Sequence, residues 1–284
     1  MIKKATYGGV DCTEKIKSLF KGKLLRIWVN NDIIGDTQPG KVKYLELELN
    51  DGTKLNFKEG TMAIYPKSNA TKLGIFYSNN NNPKIDATIN ESIKSIQYEA
   101  YDVDIITCVW EKLKYNPFIE LISNYRVSSH LNQVMQILQC LYFARETNPN
   151  YQYVSFLEHD VLYPAGYFSF PEFEQGAVLT NMNYGGLSAQ GWQKRNQDDE
   201  PMHQMTMHFN EAIKHFESIL PNAILTNSGN VEPNWKRLQW KSKHEAIHVN
   251  HGYHFTSHNS IYKKEFEENH PYWGNAKFYK HLFR

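Results

Sequence analysis

Cysteine is scarce: 284 residues hold three, Cys12, Cys108 and Cys140, with no CxxC spacing. That argues against a disulfide scaffold and against a zinc–thiolate site, and makes a reducing compartment, the cytoplasm, the expectation. No apolar run approaches the roughly 18 residues of a membrane helix, so no membrane partner is expected. The stretch Met1–Tyr7 has charge but no apolar segment, which argues against a secretory signal. Neither sign of charge dominates. Lys plus Arg is 31 against 30 for Asp plus Glu, a net charge of +1. Attachment to nucleic acid by bulk positive charge is therefore not expected, although a locally basic face remains open. GxGxxG and GxxxxGK[ST] are both missing, so dinucleotide-binding and P-loop readings lose their main support. What the chain does have is 41% hydrophobic and 21% charged residues, enough for a packed core. Aromatics reach 14%, a level that suits pockets stacking rings or covering sugars.

Two regions differ in pattern. Residues 1–67 read as β-rich. Leu24–Val29 is a strand candidate, Val42–Leu49 alternates apolar with charged residues, and Asp51-Gly52 turns the chain into Lys54–Phe57. Thr61–Tyr65 ends at Pro66. Short strands separated by Gly/Asn/Pro turns predict a small β-sandwich-like domain. From residue 68 to 284 strands alternate with helices. Leu73–Tyr77, Asp104–Trp110 and Tyr153–Leu157 are apolar runs; Asp86–Glu99 and a segment capped by Ser128-Ser129 have helical spacing. That alternation predicts an α/β fold, a mostly parallel sheet flanked by helices.

The chemistry-bearing residues follow from this layout. Glu158-His159-Asp160 leaves the third strand at the edge where open α/β sheets bind ligands. Two carboxylates two residues apart can share a cation, or one can hold metal while the other accepts from a ribose hydroxyl. A solvated strand-end loop is the alternative. Four of the twelve histidines lie in His248–His258. Imidazole suits Mn or Zn better than Mg, so one of His251, His254 and His258 beside Asp160 would complete a metal site. Tyr77, Ser78 and Asn79, after the first strand, are placed to line a nucleotide pocket, with Tyr77 either stacking on a base or serving the core. Trp235–His244 interleaves four cations with two tryptophans. Trp235, Lys236, Arg237 and Trp240, with Trp192, could contact an acceptor's phosphates and bases; packed tryptophans with solvated cations are the other reading.

Phe156–Pro164 resembles the metal-binding motif of GT-A-fold glycosyltransferases, whose usual form is Asp-x-Asp. Glu158 here stands at its first position. The strand–helix order from Leu73 is similar to that layout, and the resemblance spans residues 72 to about 258. It implies a nucleotide-sugar donor, a divalent cation (Mn2+ or Mg2+) on Asp160 with His251 or His254, and Glu158 at metal or sugar. Ala5–Thr13 with Asn30-Asn31 and Gly35–Gly40 looks similar to a small β-domain attached to such enzymes. Together these features are similar to DNA-modifying glycosyltransferases of T-even-like phages, including arabinosyltransferases acting on 5-hydroxymethylcytosine. That resemblance would make DNA the acceptor and the host cytoplasm the location.

The expected chemistry is transfer from a nucleotide diphosphate through an oxocarbenium-like state. An inverting reaction needs a carboxylate base. Asp198, Asp199 and Glu200 are the candidates, with a solvated run before a helix over Met202–Leu220 as the competing interpretation. Two other classes use the same residues: a metal-dependent nuclease or hydrolase, and a carbohydrate- or DNA-binding module.

Overall fold

The computed structural model describes residues 2–19, 25–50, 52–65, 70–99, 103–127, 129–195, 202–227, 231–250 and 262–283. The chain forms two compact units, Met1–Ser68 and Asn69–Arg284.

In the first unit an antiparallel sheet runs in the order Val10–Asp11, Ile2–Tyr7, Tyr44–Leu49, Lys54–Lys58. Leu25–Trp28 pairs with Met62–Tyr65 as a separate ribbon. These are strands the alternation implied, but a pair of facing sheets is not established. A short helix, Thr13–Ser18, instead supplies Ile16 to a core of Ala5, Tyr7, Leu45, Leu47 and Leu49. The apolar alternation also starts out of phase. Val42 and Tyr44 face solvent, while Lys43 is 3% exposed. The pleat that turns Leu45, Leu47 and Leu49 inward turns residue 43 inward with them. Its ammonium meets Asp36 Oδ1 at 2.9 Å and Glu59 Oε1 at 3.3 Å, the compensation an inward-facing cation requires.

The second unit is mixed α/β. Its main sheet contains β1 (Lys72–Ser78), β2 (Val103–Val109), β3 (Ile119–Ile122), β4 (Tyr153–Glu158), β5 (Ala177–Asn181), β6 (Met205–His208) and β7 (Lys236–Trp240). Across the sheet the order is β7-β5-β6-β4-β1-β2-β3. Only β6 is antiparallel to its neighbours; the remaining pairings are parallel. Helices α1 (Asp86–Glu99), α2 (His130–Thr147) and α3 (Phe209–Thr226) cover the two faces. Leu73, Ile75 and Tyr77 of β1 point to the side of α2 and α3, while Phe76 points to the Ile89, Ile93 and Ile96 stripe of α1. A strand buried on both faces needs apolar residues throughout, which is why β1 reads as an unbroken run. Ser129 Oγ accepts from the Asn132 N–H and starts α2 as a cap should.

One helix starts later than its sequence suggested and runs on to Thr226. Residues 202–220 contain a 3₁₀ turn (Met202–Gln204), then β6, and only then α3. Met205, Thr206 and Met207 are 0%, 2% and 0% exposed between β4 and β5, and a strand buried on both sides shows no alternation to betray it. A second sheet, unforeseen in the sequence, orders Val161–Leu162, Ala246–Val249, Tyr184–Ser188 and Gly191–Gln193.

After β1 the chain steps to β2 on one side, then returns to place β4 on the other. The carboxyl ends of β1 and β4 therefore flank the point where strand order reverses, the place at which such sheets form a binding crevice. No helix among the described residues is long and apolar enough to cross a membrane.

Candidate functional site

β1 ends in Tyr77-Ser78 and β4 ends in Glu158, paired side by side. Tyr77 donates its hydroxyl proton to Glu158 Oε1 at 2.7 Å and itself accepts from Gln133 Nε2 of α2 at 2.9 Å. The other carboxylate oxygen, Oε2, lies 3.3 Å from His203 Nδ1. The Glu158 N–H donates to the Tyr163 hydroxyl at 2.8 Å. Burial pushes the Glu158 carboxyl up and the Asp160 charge adds to that. The hydrogen bond and charge of His203, with the Tyr77 hydroxyl, outweigh both and hold it below the usual carboxylate range. Tyr77 is driven well above the ordinary phenol by burial first and then by the Glu158 charge, so it stays a donor.

His159 and Asp160 form the turn from β4 into Val161–Leu162 of the second sheet. Ser92 of α1 pins this turn by donating to Val161 O at 2.6 Å. Antiparallel pairing sets Val161 opposite His248, and the Val249 N–H donates to Asp160 O at 2.7 Å. That register brings His248 Nε2 to 3.5 Å from Asp160 Oδ2. Two carboxylate–imidazole pairs thus stand side by side. The His203 and His248 rings stack at 5.7 Å and 13°, and Tyr262 also stacks on His248, at 5.8 Å and 17°.

The expected residues fall into three groups. Tyr77, Ser78, Asn79, Glu158 and Asp160 come together at the carboxyl edge. Tyr77 is only 7% exposed with its hydroxyl engaged, so its ring serves the core. Asn79 accepts from Asn132 of α2, and Ser78 is buried. Trp192, Trp235, Lys236, Arg237 and Trp240 lie elsewhere. Trp192 is 3% exposed, donates from Nε1 to Gly274 O at 2.9 Å and packs on Tyr279. Trp235 packs edge-on to His215, and Trp240 to Phe170. Lys236 pairs with Glu174, and Arg237 donates to Pro233 O at 3.1 Å. β7 is the outer strand of its edge, three strand spacings, roughly 14 Å, from β4. Asp198, Asp199, Glu200, His251, His254 and His258 lie outside the described residues.

Sequence reasoning missed His203, yet the register accounts for it. β6 runs antiparallel to β4, with Tyr153 opposite His208 and Ser155 opposite Thr206. Continuing that pairing puts Glu158 opposite His203, so the start of β6 arrives where β4 ends.

Asp160 and His248 offer one oxygen and one nitrogen donor, a chemistry that suits Mn2+. Among the described residues no three His, Cys, Asp or Glu side chains gather to hold a metal ion.

No protein family and no curated protein matches the chain. Among solved structures, a protein from Aquifex aeolicus VF5 is similar at 9% identity over 62% of this chain and 89% of its own, with a TM-score of 0.38. A glycosyltransferase involved in glycosylation of the major capsid of PBCV-1 is 10% identical over 65% of this chain and 94% of its own, with a TM-score of 0.36. The apo-form glycosyltransferase GlyE of Streptococcus pneumoniae TIGR4 is 12% identical over 60% of this chain and 45% of its own, at 0.35. Likeness at these scores assigns no family, and the functional reading rests on the site.

Proposed function

We propose that residues 69–284 are a glycosyltransferase that moves a sugar from a nucleotide-diphosphate donor, UDP-linked, to an acceptor hydroxyl. One observation carries the reading: a carboxylate gripped on both oxygens stands at the switch point of the sheet, with a second carboxylate–imidazole pair two residues further on. Each carboxylate oxygen has two acceptor sites. With one site on each oxygen of Glu158 taken up by Tyr77 and His203, one remains on each for the hydroxyls of the donor nucleotide. Ser78 and Asn79, at the end of β1, border the same edge and are assigned to the nucleoside side of the pocket.

The chemical demand is the negative charge that grows on the diphosphate as the anomeric bond breaks. Asp160 and His248 would hold Mn2+ or Mg2+, and a cation bound there would neutralise that charge. Asp198, Asp199 and Glu200 keep the role of general base for an inverting reaction. A hydroxymethylated cytosine in DNA is one acceptor compatible with the resemblance. No described residue favours it over another hydroxyl, since both tryptophans of Trp235–Trp240 pack on protein.

The test is thermal unfolding with UDP-, GDP- and CDP-sugars, with and without Mn2+. A ligand that binds the native state adds about 2.7 kcal/mol of stability at one hundred times Kd by mass action, and so raises the melting point. A UDP-sugar with Mn2+ should give the largest rise. No rise with any sugar nucleotide, or metal-dependent cleavage of labelled DNA without one, would sink the reading in favour of a hydrolase or a binding module.

A further inference from the structure

Glu158 has two side-chain partners of different kinds. Tyr77 belongs to the adjacent strand. His203 comes from a turn 45 residues along the chain. The residue is held through its backbone and its ring. The His203 carbonyl accepts from the Tyr167 hydroxyl at 2.9 Å, the ring stacks on His248, and Tyr184 meets it edge-on at 5.7 Å and 83°. His203 is 5% exposed, and its Nε2 is buried with no hydrogen-bond partner among the described residues. The ring's polar tie there is the one from Nδ1 to Glu158 Oε2. A carboxylate anchored only by Tyr77 could rotate about its last torsion, which is broad for a glutamate. A second donor on the opposite oxygen fixes the carboxylate plane and so fixes where its free acceptor sites point.

We propose that His203 is a positioning residue that acts through Glu158, its Nδ1 holding the carboxylate in the orientation that receives the hydroxyls of the donor nucleotide. This rests on the glycosyltransferase reading of the same site. It assigns His203 a role in donor recognition and none in contact with the transferred sugar.

The experiment is calorimetric titration of the full chain with UDP in the presence of Mn2+, on wild type, His203→Ala, His203→Asn and Glu158→Gln. Asparagine replaces the Nδ1 donor with an amide N–H and keeps no ring. His203→Ala should bind UDP about tenfold more weakly, His203→Asn should recover most of that loss, and both should melt close to each other. In a Glu158→Gln background, His203→Ala should add little, since a residue acting through Glu158 has nothing left to orient. Losses that simply add, or an asparagine variant as weak as the alanine one, would overturn the assignment. If His203→Ala does not fold, His203→Leu takes its place in the cycle; loss of folding in both would make the residue structural and overturn it as well. Failure of the underlying reading looks different: wild type itself then binds neither UDP, GDP nor CDP with Mn2+, and the inference falls with it.

Discussion

Gly186 lies so close to the Tyr262 ring that a Cβ there would stand 2.9 Å from two ring carbons. Tyr262 in turn covers His248, the partner of Asp160. A missing side chain on one strand therefore seats an aromatic ring over the candidate site. Gly186→Ala should displace Tyr262 and cost about 1–3 kcal/mol, the usual range for overpacking. Thermal denaturation reads the loss, and weakened Mn2+ binding should accompany it. An unchanged melting point would show that the ring moves aside freely.

Tyr77→Phe removes a donor from Glu158 and an acceptor from Gln133 while keeping the ring that serves the core. Hydrogen bonds to charged groups contribute about 1.5–3 kcal/mol. The variant should lose stability on that order and bind donor nucleotide more weakly. Denaturant unfolding and calorimetry check the two effects separately.

His215 supplies a pH dependence. Burial lowers its pKa below the usual imidazole value, against the hydrogen bond to Val231 O at 2.9 Å, which raises it. The folded state therefore keeps the ring neutral where the unfolded chain already takes up a proton. Below about pH 6.5 the unfolded state binds more protons, so stability falls as pH drops through that value and is flat above it. His215→Leu should melt at a lower temperature at pH 7.5 but lose less between pH 7.5 and 5.5 than wild type. Equal losses in the two proteins would remove His215 as a cause.

Trp192 separates an acceptor platform from a core residue. At 3% exposure, with its indole N–H committed to Gly274 O, it should behave as core. Trp192→Ala should cost about 3–5 kcal/mol and lower the melting point by roughly 10 °C. A stable variant with impaired acceptor binding would restore the surface role.

Metal removal tests the Asp160–His248 pair. After chelation the protein should lose donor-nucleotide binding, and Mn2+ should restore it at lower concentration than Mg2+, because a nitrogen donor favours the softer ion. Asp160→Asn should abolish the response. Donor binding that survives chelation unchanged would remove the cation from the proposal.

The central strands were legible because burial on both faces forces a continuous apolar run, as in Leu73–Tyr77 and Tyr153–Leu157. The same burial hid β6, whose Met-Thr-Met stretch leads into a helix and carries no period of its own. In the first unit, strand positions could be read, whereas the carboxylates of Asp36 and Glu59 that let the pleat bury Lys43 could not. The histidine-rich stretch was visible as a cluster, and the member that meets Asp160 among the described residues is His248, in the strand Ala246–Val249.

By itself the sequence determined which residue types stand near the end of which strand: an acidic pair where β4 gives way to a turn, and a tyrosine in the last two residues of β1. Those assignments are local, set by side-chain period and turn chemistry. Which imidazole answers each carboxylate was decided only by strand register. Antiparallel pairing of β6 with β4, and of Ala246–Val249 with Val161–Leu162, carries His203 and His248 to their partners across 45 and 88 residues of chain. Pairing between distant strands depends on the whole core closing around them, so the partners of Glu158 and Asp160 became visible only in the folded molecule.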